Sequence, residues 1–236
     1  MVSAEPEEAV RLTVLRGGWL TLTFVHWRYD PDVVQSLLPD GLTVDTHDRS
    51  AWVTLAPFLM ADQRPPLLPT VGRLGTFPET NLRTYVRGPD GRDGLWFFSL
   101  EAANAMFVVS ARAVVGAPYR RASLSIDERE DVITYAGVRR GGSPSYRLVV
   151  RPGAAIEPSE RDVWLTARWR AYTRHLARLR QTPVTHEPWP LRAASVVELE
   201  ESLTAAAGLP APMGEPLVHY SQGVRDVRIG VSRVVR

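Results

Sequence analysis

The chain has 236 residues, 44% of them hydrophobic, a formal net charge of +2 and no cysteine. That length can bury a proper core in one large β-rich domain, and the missing thiols exclude disulfides, thiol nucleophiles and thiolate metal sites. All 28 basic side chains other than histidine are arginine; a guanidinium stays protonated and forms no Schiff base under ordinary conditions, so lysine imine chemistry is excluded.

The arginines are spread along the chain without an aromatic-studded basic stripe, which argues against a nucleic-acid partner. No run of about 18 uninterrupted apolar residues occurs, which argues against a membrane. The opening MVSAEPEEAV is acidic rather than a basic start followed by an apolar run, so the expected location is the cytoplasm. Residues 1–10 read as a loose tail and residues 11–236 as a single domain, with self-association into a homo-oligomer left open.

Residues 19–25 (WLTLTFV) alternate as a strand that ends at His26 and Trp27. Asp30 followed by Pro31 supplies an N-cap and a first-turn proline for a short helix, which Pro39-Asp40-Gly41 stops. Residues 42–45 and 51–58 read as a hairpin around residues 47–50. Residues 61–76, with three prolines and two glycines, read as an irregular loop of the kind that often borders a site.

Residues 77–101 (FPETNLRTYVRGPDGRDGLWFFSLE) carry the densest chemistry. The Gly/Pro/Asp-rich centre predicts a hairpin loop, with strands over about 79–87 and about 95–101. Alternation puts Leu82, Thr84 and Val86 on one face, and a symmetric register about Gly91 sets Trp96, Phe98 and Leu100 beside them. The other face carries Glu79, Asn81, Arg83 and Tyr85, with Phe97, Ser99 and Glu101 opposite. On pattern alone that face is either the solvated side of an antiparallel sheet or one wall of a polar pocket.

Beyond it, residues 106–115 (MFVVSARAVV) predict a buried strand, and the charge of Arg112 within it calls for a partner or a ligand. Residues 121–126 and 132–138 predict a hairpin, and residues 145–150 a further strand. Ser159 to Asp162 resembles a capping box, and Leu165, Trp169, Tyr172, Leu176 and Leu179 recur at helical spacing as far as about Arg180. Residues 198–207 predict a helix stopped by Gly208, and residues 216–221 and 224–235 the closing strands.

His26-Trp27, Leu38-Pro39-Asp40-Gly41-Leu42, Pro78-Glu79-x-Asn81-x-Arg83-Thr84-Tyr85-Val86, Trp96-Phe97-Phe98-Ser99-Leu100, Ala111-Arg112, Pro118-Tyr119, His186-x-Pro188-Trp189-Pro190 and Ala207-Gly208-Leu209 resemble, in order and over nearly the whole chain, the YqjF-like (DUF2071) family. That family is similar in fold to acetoacetate decarboxylase. The resemblance implies a β-rich α+β, single-domain acetoacetate decarboxylase-like antiparallel β-barrel, with a few peripheral helices around an internal pocket. It also implies a short helix giving way to a strand between Leu165 and His186, in place of the long helix. The decarboxylase carries a Gly-x-Pro-Lys-Lys motif whose first lysine forms the substrate imine. The local match is Gly116-Ala117-Pro118-Tyr119-Arg120, with Tyr119 where that lysine would be, so the defining activity is expected to be absent. Ala167 stands where the family likeness leads one to expect a glutamate, which leaves any role of that residue unsupported.

The expected catalytic residues are therefore Glu79, Arg83 and Tyr119. Arg83 would clamp a carboxylate through paired hydrogen bonds, unless it serves only as an ion-pair partner of Glu79 or Glu101. Glu79 would move a proton if its surroundings raise its pKa, and Tyr119 would donate to an oxyanion. Asn81, Tyr85, Ser99, Glu101, Arg112 and His26 are the expected substrate-binding residues. His26, His186 and His219 lack any metal-site spacing, so no metal is expected, and no glycine run has the context of a phosphate loop, so no cofactor is expected. Two functions stay open: a lyase-like enzyme acting on an anionic, keto-acid-like substrate, or a non-catalytic small-molecule binder that kept the barrel.

Overall fold

The computed structural model describes residues 2–70 and 72–235. Strand β1 (Thr13–Tyr29) starts earlier than the alternation of residues 19–25 indicates and leads into helix α1 (Pro31–Ser36), where Asp30 accepts from the Asp32 amide. Strands β2 (Thr43–Val44) and β3 (Ala51–Arg64) follow. They are not the expected hairpin: β2 pairs with β4 (Phe77–Arg87), as β3 does along its length. The expected loop is correspondingly shorter, because β3 runs to Arg64 and a single 3-10 turn covers Gly72–Gly75.

The run read as a buried strand at 106–115 is helix α2 (Ala105–Val115), between β5 (Asp93–Ala102) and β6 (Tyr119–Arg129). Its valines argue for a strand, but its ends decide otherwise. Asn104 caps the start by accepting from the Phe107 amide at 3.0 Å, and Gly116 closes the end at a left-handed φ of 67°. Topology requires the same answer, since β5 and β6 pair in parallel and parallel neighbours need a crossover segment between them. Met106, Val109 and Val114 stand exposed on α2, and Arg112 lies on its solvent side. Exposed there, Arg112 does not need the partner that a buried strand would have demanded.

The chain continues through β7 (Val132–Arg139), β8 (Ser145–Ala155), α3 (Glu160–Thr166), β9 (Arg170–His175), β10 (Arg178–Thr185), β11 (Leu191–Glu201), α4 (Leu203–Ala206), β12 (Met213–Gly230) and β13 (Arg233–Val234). The short helix followed by strands at 160–185 agrees with the family likeness and overturns the long helix. Of the residues at helical spacing, Leu165 is buried in α3 and Tyr172 in β9, whereas Leu176, 84% exposed, and Ala177 hold positive φ at the β9–β10 turn. The predicted helix at 198–207 shrinks to α4, because residues 198–201 pair with β8. The two closing strands expected at the end are mostly one, β12.

Nine strands close into a barrel in the order β5-β6-β7-β8-β11-β12-β1-β3-β4, with β4 returning to β5. A second closure branches from it. On the edge away from β4, β5 pairs with β9 at Leu95 and Trp96 and with β6 from Leu100 onward. On the edge away from β1, β12 pairs with β11 around Ser221 and with β10 at Arg228 and Ile229. The wall β12-β1-β3-β4-β5 therefore has two buried faces. Val25, Leu55, Leu82, Tyr135, Leu148 and Tyr220 fill the nine-strand interior. Leu22, Phe24, Phe58, Met60 and Leu100 face the other way, toward α2, β10 and Trp189. This explains why β3 and β4 read as near-continuous buried runs rather than alternating ones.

The β4–β5 register contains a bulge that the symmetric alignment misses. Arg83 pairs with Phe97 and Tyr85 with Leu95, but Leu82 pairs with Ser99, Asn81 with Leu100, Thr80 with Glu101 and Glu79 with Ala102. The extra residue is Phe98, and one extra residue moves every side chain beyond it to the opposite face. Leu100 thereby joins Glu79 and Asn81, while Ser99 and Glu101 turn into the nine-strand interior. Residues 3–8, expected to be loose, are held by side chains. The Trp169 indole donates to the Ser3 carbonyl, Arg170 pairs with Glu7 at 2.9 Å and Arg92 with Glu8 at 2.8 Å. No helix among the described residues is long and apolar enough to cross a membrane.

Candidate active site

Between the shared wall, α2 and the β9–β10 branch lies a cavity of about 490 Å³. Strand β4 gives it a polar stripe, because Glu79, Asn81 and Arg83 point the same way at alternate positions. Two residues of strand advance about 6.7 Å, so the Cα atoms of Glu79 and Arg83 are separated by about 13 Å with Asn81 between them.

Glu79 is 4% exposed, and its Oε2 accepts from the Tyr119 hydroxyl at 3.0 Å. Tyr119 reaches it because the left-handed turn at Gly116 and the rigid Pro118 redirect the chain from α2 into β6. Burial pushes the Glu79 pKa up to about 8, against the lowering effect of the Tyr119 bond and with a smaller push from Glu101. At neutral pH this carboxyl therefore holds its proton. Burial and the adjacent Glu79 in turn drive the phenol well above its ordinary value, so Tyr119 acts as a neutral donor.

Arg83 is the other anchor. Its guanidinium lies over the Phe24 ring at 5.2 Å and, among the described residues, its Nε has no hydrogen-bond partner. Burial lowers its pKa, and the only opposing influence is the Tyr85 phenol beside it. The ion pair with Glu79 or Glu101 that the sequence left open does not form. Glu79 keeps to Tyr119, and Glu101 pairs with Arg139 and accepts from Ser99. Asn81 Oδ1 is likewise buried without a partner among the described residues. Unsatisfied buried polar groups that share a cavity are what a polar ligand would satisfy.

The remaining expected binding residues are elsewhere. Ser99 and Glu101 face the nine-strand interior because of the bulge, and Arg112 is on the exposed side of α2. Tyr85 and His26 are on the cavity side of the wall but do not line it; they lie deeper, in a buried chain of polar contacts. Asp162 Oδ1 meets His219 Nε2 at 3.1 Å, His219 Nδ1 meets His26 Nε2 at 3.3 Å, and His26 Nδ1 meets Thr54 Oγ1 at 2.8 Å. The Thr54 hydroxyl meets the Tyr85 hydroxyl at 2.7 Å, and Tyr85 donates to the Leu165 carbonyl at 2.6 Å. Burial raises the Asp162 pKa, but hydrogen bonds from Ser159 and the nearby His219 and Arg161 outweigh it and leave a net lowering. An ionised Asp162 orders the tautomers: His219 donates to it, His26 donates to His219, and Thr54 donates to His26. With both imidazoles neutral, as their burial favours, four protons serve these five contacts. The Thr54–Tyr85 contact is the one left without a proton, so Tyr85 is held behind Arg83 by its own donation to the Leu165 carbonyl.

Several lining residues carry no catalytic signature in the sequence. His186 sits among Trp19, Trp169 and Trp189, and burial lowers its pKa to about 4. The His186-x-Pro188-Trp189-Pro190 motif was the available signal. Arg168, beside the unexpected Ala167, reaches the cavity but is committed to Asp45 and Asp93 at 3.2 and 3.4 Å and lies against Trp164. Among the described residues no group of three or more His, Asp or Glu side chains could hold a metal ion.

Comparison with known proteins places this geometry in context. The model of DUF2071, an uncharacterized conserved protein family, matches residues 16–225. The chain is 33% identical over 214 residues to the uncharacterized protein YqjF of Bacillus subtilis (strain 168), covering 89% of this chain and 88% of that one. Among solved structures it is similar in fold to acetoacetate decarboxylase from Legionella pneumophila, at TM-score 0.67 and 16% identity over 95% of this chain and 88% of that one. It is also similar to the enduracididine biosynthesis enzyme MppR complexed with pyruvate, at TM-score 0.64 and 15% identity over 97% and 93%. The nine-strand barrel is the acetoacetate decarboxylase-like fold.

Proposed function

Because the chain belongs to the DUF2071 family and has the acetoacetate decarboxylase-like fold, we propose that its cavity is an active site for an anionic keto-acid-like small molecule, worked by arginine and acid–base chemistry without an imine. The observation that carries this reading is the pairing of two buried groups on one cavity wall: an Arg83 guanidinium without a carboxylate partner among the described residues and a Glu79 carboxyl that keeps its proton at neutral pH. Arg83 holds the substrate carboxylate through paired hydrogen bonds. Glu79 delivers its proton to the carbonyl oxygen or to the carbanionic carbon of the reacting group and takes one back when the product is released. Tyr119 hydrogen-bonds Glu79 and stabilises its ionised form during that exchange. This chemistry covers decarboxylation, dehydration or ring closure of a keto acid, and the absence of lysine from the chain excludes the imine route of a Schiff-base decarboxylase.

The other walls of the cavity are mainly apolar, which also suits a non-catalytic binder with a single anchor. Turnover of a keto-acid panel by the wild type and by Glu79→Gln separates the two. Wild-type turnover that collapses in the variant supports the enzyme. Equal rates remove Glu79 from the mechanism, and Arg83-dependent binding without turnover of any panel member leaves the binder.

A further inference from the structure

The size and lining of the cavity go further than its anchor. We infer that the site takes an amphipathic carboxylate, a keto acid bearing a long alkyl or aryl body, rather than a short acid such as pyruvate. This rests on the reading of Arg83 as the carboxylate anchor. A cavity of about 490 Å³ falls within the range that encloses most of a drug-sized ligand. A short keto acid seated on Arg83 leaves most of that space, and most of its apolar wall, unused.

The wall is built for a hydrocarbon. Trp19 stacks on Trp189 with ring centroids 6.1 Å apart, and Phe58 meets Trp19 edge-on at 5.9 Å. Phe107 of α2 closes the opposite side, edge-on to Tyr119 at 5.3 Å. The apolar lining continues to the surface. Val14 and Val114 both line the cavity, yet they are 47% and 71% exposed. Of the buried arginines that line the cavity, Arg168 and Arg170 are paired with acids and Arg83 has no acid partner among the described residues, so an apolar rim leading from solvent to Arg83 matches a ligand with one charged head and an apolar tail that extends toward the opening.

The test is a homologous series of straight-chain α-keto acids from pyruvate to α-ketodecanoate, titrated into the full-length protein by calorimetry and by quenching of tryptophan fluorescence. Burying each methylene is worth about 0.8 kcal/mol, so affinity should tighten about fourfold per carbon until the chain reaches the rim. Val114→Asp, at an exposed position that does not threaten folding, should flatten the slope for the longest members. The matching primary alcohols should bind more weakly than the acids at every length. Affinity that is flat or falls beyond pyruvate, with acids still preferred over alcohols, overturns the amphipathic ligand while leaving the Arg83 anchor standing. Alcohols and acids that bind equally overturn the anchor itself.

Discussion

Replacing Glu79 by glutamine should make the protein more stable at alkaline pH, and by a calculable amount. The folded-state pKa of Glu79 is about 8 against an ordinary 4.5, so between those values the folded protein holds a proton that the unfolded chain has lost. A group whose folded pKa is raised contributes stability that is fully present below 4.5 and is lost as pH rises through 8. At about 1.4 kcal/mol per pH unit the whole loss is about 5 kcal/mol, an upper bound because water entering the cavity would solvate the anion. Glutamine has nearly the shape of the protonated acid and still accepts from Tyr119, so it removes the titration and keeps the packing. Urea unfolding midpoints for both proteins, measured from acid pH to above the Glu79 value, should coincide at the acid end and diverge steadily in favour of Glu79→Gln. His186 titrates in the opposite sense: its folded value of about 4 adds stability as pH rises toward 6.5. That contribution is common to both proteins and cancels in the difference. Parallel curves across the window would refute a Glu79 held protonated by burial.

Arg83→Met should weaken α-keto acid binding about ten- to a hundredfold, the worth of a charge-assisted pair, without lowering stability, because it removes a buried charge that has no acid partner among the described residues; calorimetry and urea unfolding check the two halves, and a marked loss of stability would mean the guanidinium is structural. His219→Phe leaves His26 Nε2 without its partner and takes one hydrogen bond from Asp162, which keeps those from Ser159, and should cost about 2–4 kcal/mol in urea unfolding. Val109→Asp should change stability by less than about 0.5 kcal/mol, since the side chain is 67% exposed on α2; a loss of several kcal/mol would restore the buried strand.

Local patterns made much of this protein readable from its residues. The β4–β5 hairpin, the Asp30 and Ser159 caps and the alternation that sets Glu79, Asn81 and Arg83 in one row are short-range, because backbone preference and side-chain alternation act within a few residues. The lysine-free composition constrained the chemistry in the same direct way. The family likeness corrected the residue pattern at 160–185, where Leu165 and Trp169 are buried before the strands begin, Tyr172 is buried in β9 and Leu176 stands exposed at a turn, so their helical spacing is coincidental.

Long-range pairing settled the rest. Whether Glu101 and Ser99 share the cavity with Glu79 depends on a single extra residue at Phe98, which the two strands absorb only when their registers are held by β3 on one side and by β6 and β9 on the other. The helix at 105–115 follows from the parallel pairing of β5 with β6, a relation between strands that no window of residues contains. The side chains of Tyr119 and Glu79 meet 40 positions apart, and His219 meets His26 across 193. Such contacts come from barrel closure, and closure also turns the polar row of β4 away from solvent, raises the pKa of Glu79 and leaves Arg83 facing a cavity without an acid partner among the described residues.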